Sequence, residues 1–173
     1  MPNKRKAFRL KSLFEVPKSK IRCLAYSSNE IFVGTADGKL LAFARGSPGG
    51  GAPQREVVIA KKKKVDQVIC VEALGRVLVL CNGAVSVHDL RDLSKIATLS
   101  KAKGASVMAV DQKGEPSFRL CVAAKRTMRD SVLHLFEYSH GEFASTKELY
   151  LPELPQTLLW NGKSICVGYT RKE

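Results

Sequence analysis

The chain has 173 residues, 45% of them hydrophobic, enough for one sizeable core and too apolar for a disordered chain. Its 29 Lys and Arg against 16 Asp and Glu leave a formal charge of +13, which points to an anionic partner: nucleic acid, an acidic membrane surface or an acidic protein patch. Cys23, Cys70, Cys81, Cys121 and Cys166 are odd in number and form no C-x-x-C pair, which argues against a disulfide scaffold or a zinc site and for buried, reduced thiols in the cytosol.

The chain opens with a basic arm, residues 1–12, that lacks the apolar run of a signal peptide. Lys4-Arg5-Lys6 is too short to read as a nuclear address and is assigned to a solvated terminus. No stretch approaches the ~20 apolar residues of a membrane span. Leu13 to Val16 is placed as a strand that starts or closes a repeat.

From there one pattern recurs. The runs beginning at Ile31, Val77, Leu120 and Ile165 start about 43 to 46 residues apart, the spacing of propeller blades of four strands each. Each follows another apolar segment: Ile21 to Tyr26, Gln67 to Ala73, Ser106 to Val110 and Thr157 to Trp160. Third strands are predicted at Lys39 to Ala44, Ala84 to His88 and Val132 to Tyr138, and fourth strands at Glu56 to Ala60, Ile96 to Leu99 and Ser145 to Leu151. The predicted fold is all-β, a partial β-propeller of about three and a half four-stranded blades forming an open arc over 13–173. Its blades lie at approximately 20–60, 65–100, 104–151 and 155–173.

The connections carry the remaining signals. Ala36-Asp37-Gly38 and Asn82-Gly83 read as hairpin turns, the second because both residues accept the positive φ of a tight primed turn. Gly34 is expected where blades pack closely, and 46–53 (GSPGGGAP) is a flexible loop without the strand and helix setting of a dinucleotide site. Lys61, Lys62, Lys63 and Lys64 cannot all be buried and mark an exposed connection between blades. Lys101 and Lys103 precede the third blade, and Lys125, Arg126 and Arg129 follow its second strand. These nine cations are the candidate partner-binding residues, chosen on charge.

Chemistry is not signalled. His88 and Asp89 end a strand with no nucleophile fixed beside them, so Asp89 is read as a cap on backbone amides. His134 and His140 have no metal-ligand spacing. Asn161-Gly162-Lys163-Ser164 resembles the end of a phosphate-binding loop, but the first glycine of that motif is replaced by Thr157 and no helix follows, so it is a hairpin turn. No enzyme, cofactor or metal is expected.

Val85 to Leu90 (VSVHDL), Ser100 to Ser106 (SKAKGAS), Leu120 to Ala123 (LCVA) and Ser164 to Gly168 (SICVG) resemble, in order, the citron-homology domain of vesicle-tethering subunits. The resemblance runs from about Ile21 to Gly168. It implies a non-enzymatic interaction module in late endosome and vacuole (lysosome) fusion, endosomal transport and autophagy. The implied partners are a small Rab-type GTPase and other tether-complex subunits. The implied location is cytoplasmic and peripheral on the late endosome or vacuole membrane, with peripheral contact to acidic lipid. The resemblance assigns no contact residue. Family members continue past the SICVG strand into further blades, a helical solenoid and a cysteine-rich end. The expectation is therefore a truncated form, marginally stable or self-associating because a half propeller leaves a blade face and a strand edge without neighbours. Charge alone keeps two alternatives open, a nucleic-acid binder and an acidic-lipid binder. The first lacks a groove-reading helix or aromatic stacking platform, so no nucleic acid is expected.

Overall fold

The computed structural model describes residues 19–45, 51–111, 118–127 and 130–170. The basic arm, the strand expected at Leu13 to Val16, residues 46–50 of the loop, and Arg129 lie outside the described residues.

Three four-stranded antiparallel sheets and a two-stranded one follow in chain order. The first holds β1 (Ile21–Ser27), β2 (Glu30–Thr35), β3 (Lys39–Ala44) and β4 (Arg55–Val58). The second holds β5 (Val65–Val71), β6 (Arg76–Cys81), β7 (Ala84–Asp89) and β8 (Lys95–Thr98). The third holds β9 (Ala105–Asp111), β10 (Arg119–Lys125), β11 (Ser131–Ser139) and β12 (Glu142–Leu151), and the last is the hairpin β13 (Thr157–Asn161) and β14 (Ser164–Gly168). Every sheet is a meander in sequence order, and β1 packs on β5, β5 on β9 and β9 on β13. The first strands thus line one side of an open arc of blades, as the repeat spacing predicts.

Turn chemistry sets the register. Asn82 (φ 52°) and Gly83 (φ 72°) both take positive φ, so Cys81 pairs directly with Ala84. Some strand ends differ from expectation: β4 runs Arg55–Val58 against the expected Glu56 to Ala60, and β12 begins at Glu142 against the expected Ser145. The first strand of the second sheet stops at Val71, and Glu72–Leu74 form a 3₁₀ turn closed by Gly75 at φ 61°. The turn lets the Glu72 carboxylate accept hydrogen bonds from the backbone N–H and, at 2.9 Å, the hydroxyl of Ser28 in the neighbouring sheet.

Each junction between sheets is an apolar layer. Phe32, Leu40 and Ala42 of the first sheet bury against Val68, Val77 and Val79 of the second. Leu78, Leu80 and Val85 bury against Met108, Leu120 and Phe136 of the third, and Ala109, Cys121 and Leu133 against Trp160 of the hairpin. Central strands are apolar on both faces because each face meets a neighbouring sheet. The outer ends of the arc differ: Ile21, Leu24 and Tyr26 stay exposed on the first sheet and Leu159 on the hairpin.

Polar ties cross the same junctions. The Gln67 side chain donates to the Met108 carbonyl at 2.7 Å and accepts from its N–H at 2.9 Å, as a strand neighbour would. Arg55 donates to the Leu90 carbonyl at 2.7 Å and pairs with Glu30. Gly34 sits where β2 meets β5, and a Cβ there would lie 2.4 Å from the Cys23 sulfur and 2.6 Å from Val65 Cγ1. Gly34→Ala is expected to lower unfolding stability by about 1–3 kcal/mol through overpacking, read as a lower denaturant midpoint at unchanged slope.

Four of the five thiols are wholly or partly buried, and burial pushes Cys70 and Cys121 up to about 12 and Cys23 up to about 11, which suppresses the reactive thiolate. Cys166 corrects the expectation of uniformly buried thiols. It is exposed because Leu158, Trp160, Ile165 and Val167 take the hairpin face toward the third sheet, leaving Leu159 and Cys166 on the other.

Candidate interaction surface

The meander order decides where the cations go. In each four-stranded sheet, the turn between the second and third strands lies at the same end as the connection into the next sheet. Lys61–Lys64 lie on the connection from β4 to β5, Lys101 and Lys103 on that from β8 to β9, and Lys125 and Arg126 at the turn from β10 to β11. All eight are exposed, and all fall on one face of the arc.

Backbone hydrogen bonds stitch this face together. Lys62 N–H donates to the Asp37 carbonyl at 3.1 Å, binding the lysine run to the hairpin turn of the first sheet. Gly104 N–H donates to the Gly83 carbonyl at 2.8 Å, and Lys125 N–H donates to the Gly104 carbonyl at 3.0 Å. That chain draws Lys101, Lys103, Lys125 and Arg126 from two distant segments around one cleft of about 770 Å³, with His134 and Glu148 in its wall. Lys61–Lys64 stand at the preceding junction, with Lys64 Nζ 2.9 Å from an Asp66 carboxylate oxygen. Arg126 is anchored: it donates to Tyr150 Oη at 3.1 Å, and its guanidinium lies 5.9 Å from the centre of that ring.

His134, read from the sequence only as lacking metal-ligand spacing, is the polar group that the structure adds to the cleft. It is 7% exposed, and its Nδ1 lies 3.2 Å from Glu148 Oε1 without the alignment of a hydrogen bond. The available signal was its place in the alternation Val132, His134, Phe136, where a polar residue interrupts a core-facing row.

His88 and Asp89 are structural, as expected. The Leu93 carbonyl can only accept, so His88 Nδ1 donates to it at 2.9 Å and Nε2 accepts from the Ser86 hydroxyl at 2.9 Å. Burial, with Lys95 nearby, holds the imidazole below its usual value. Asp89 accepts the Arg91 N–H at 2.8 Å, which lowers its carboxyl. A folded-state pKa below the unfolded one means that His88 favours folding above about pH 6.5 and that this contribution falls away as pH drops through the folded value. Melts between pH 7.5 and pH 5 should show a loss that His88→Asn, whose amide can still donate to Leu93, makes shallower; an unchanged slope would contradict this.

Among the described residues no three His, Cys, Asp or Glu side chains gather as metal ligands, and no helix is long and apolar enough to cross a membrane. Asn161–Ser164 is the hairpin turn between β13 and β14, with Gly162 at φ 60°.

Four-stranded meanders stacked side by side, with a cationic face built from their connections, define a partial β-propeller. Residues 27–173 match the CNH domain, and the chain belongs to that family. It is 32% identical over 185 aligned residues to the Vam6/Vps39-like protein of Homo sapiens, covering 95% of this chain and 20% of that protein. It is 25% identical to the transforming growth factor-beta receptor-associated protein 1 of Bos taurus, covering 87% of this chain and 18% of that one. A solved structure, the AfRom2 CNH domain, superposes with a TM-score of 0.67 at 22% identity, over 92% of this chain and 52% of that one. The chain spans about a fifth of the length of these two relatives.

Proposed function

We infer that the chain is a non-enzymatic interaction module of a tethering protein of the HOPS kind, acting in late endosome and vacuole (lysosome) fusion, endosomal transport and autophagy. The observation that carries the reading is the 32% identity across 95% of the chain to a Vam6/Vps39-like protein. The gathered basic face supports it, since an acidic protein surface is met faster and held in register by complementary charge. On this reading the partner is a small Rab-type GTPase on the target membrane, the cations at 61–64, 101, 103, 125, 126 and 129 are its candidate contacts, and other tether subunits bind elsewhere. The chain is then cytoplasmic and peripheral on the membrane.

The test is capture of purified Rab-type GTPases of the late endosome and vacuole by the immobilised chain, each loaded with GDP or a non-hydrolysable GTP analogue. Binding that depends on the nucleotide and weakens with salt is expected. Capture of none of them, alongside salt-dependent retention of duplex DNA or acidic vesicles, would replace this reading with one of the charge-driven alternatives.

A further inference from the structure

Lys101 lines two neighbouring cavities. One is the basic cleft; the other, of about 320 Å³, lies between Val87 and Thr98 of the second sheet and Phe136, Tyr138 and Phe143 of the third, and Ser100, Glu142 and Ser145 also line it. The two are parts of one groove. Val132, His134, Phe136 and Tyr138 alternate along a single face of β11, with Val132 and His134 lining the basic cleft and Phe136 and Tyr138 the aromatic floor of the second cavity. At about 3.3 Å per residue, the rise from Val132 to Tyr138 is about 20 Å, the length of an extended segment of about six residues.

The ends differ in chemistry. At one end the floor is aromatic, with Tyr138 and Phe143 meeting edge to face at ring centres 5.0 Å apart, and Ser100, Glu142 and Ser145 line its rim. At the other end Lys101, Lys103, Lys125 and Arg126 face the single carboxylate of Glu148. Between them His134 presents a buried Nδ1 that makes no hydrogen bond. An acidic membrane offers a flat array of headgroups, which cannot reach an aromatic floor recessed between two sheets, whereas a single extended chain can.

We propose that this groove binds an extended peptide segment of a partner protein, with a bulky apolar side chain beside Tyr138 and Phe143 and adjoining Asp or Glu residues over Lys101, Lys103, Lys125 and Arg126. The proposal rests on the interaction-module reading but not on the GTPase. A linear segment fills the groove, while a folded GTPase meets the wider face.

The probe is a fluorescein-labelled peptide with a run of Asp and Glu beside a Leu-Phe pair, made in both orders and titrated against the full chain by fluorescence anisotropy. Replacing the Leu-Phe pair by alanines, or the acids by their amides, should weaken binding by about tenfold each. Thr98→Trp, which fills the cavity over Tyr138 and Phe143 from an exposed position on β8, should weaken the Leu-Phe peptide by about tenfold and leave the alanine peptide unchanged. Lys125→Glu should weaken both. Ser145→Trp, from the opposite wall, repeats the test should Thr98→Trp shift the melt. Equal affinity of the two peptides, insensitivity to both tryptophans, or binding of acidic vesicles but neither peptide would overturn the proposal. GTPase capture on Thr98→Trp separates the two readings: capture kept with the peptide lost supports the groove, and capture with no peptide binding by the unaltered chain removes the groove alone.

Discussion

Asp111→Ala is expected to destabilise the chain by about 3 kcal/mol and to loosen the last hairpin first. Asp111 is fully buried and pairs with Arg119, and its other oxygen accepts the Gly162 N–H at 3.2 Å. Arg119 in turn donates to the Gly162 carbonyl at 2.9 Å, and its guanidinium lies 5.1 Å from the Trp160 ring centre. Removing the carboxylate leaves a guanidinium uncompensated against an aromatic wall. Because Arg119 keeps 35% of its side chain in solvent, water recovers part of that loss, which places the cost at the lower end of the range for a broken buried pair. Trp160 is the single tryptophan, so its emission reports the hairpin directly and should shift red at lower denaturant than the global transition. Asp111→Leu combined with Arg119→Met should lose less than Asp111→Ala alone, since no charge is then stranded. A single transition with native emission up to the midpoint would show that the clamp holds nothing locally.

Gly104→Ala should cost about 3 kcal/mol, against about 1 kcal/mol for Gly141→Ala. Both glycines sit at similar positive φ, 83° and 90°, where any side chain is strained. They differ in surroundings. A Cβ at Gly141 meets nothing within 4 Å, whereas one at Gly104 would lie 2.5 Å from the Lys125 carbonyl oxygen. That oxygen belongs to backbone tied to Gly104 itself, so relief requires breaking the chain of hydrogen bonds that assembles the basic cleft. Chemical denaturation of the two variants separates backbone strain from close approach. Equal losses would mean that the loops yield freely.

The fold was legible because local rules and the repeat agreed. Asn82-Gly83 announced a primed turn, and the apolar runs on both sides of it marked the two strands that it joins. The end of β5 was not legible, since Ala73 and Leu74 extend the apolar run past Glu72, and Glu72 leaves the strand to bond with Ser28, a residue of another blade. The ties between sheets were hidden for the same reason, although their separations carried a trace. Ser28 and Glu72 lie 44 apart, Gln67 and Met108 41 apart, and Arg119 and Gly162 43 apart, each near the repeat length. A polar residue on a core strand, with its complement one repeat away, is the pattern that would have exposed them. The cations at 101, 103, 125 and 126 were found by charge, but their meeting depends on the meander placing alternate connections at one end of the sheets.

That shared end is where the proposed function puts the partner contact, and it has an internal control. Arg91, Lys95 and Lys163 are exposed cations at the opposite ends of the strands. Lys101, Lys103 and Lys125 changed together to Glu remove the same formal charge as Arg91, Lys95 and Lys163 changed together to Glu. The deciding measurement is the affinity of the captured GTPase for these two triple variants at matched salt. Loss of about tenfold or more with the first triple and near-native affinity with the second is the predicted result. Equal losses would mean that net charge alone draws the partner and that the face formed by the connections has no specific part in holding it.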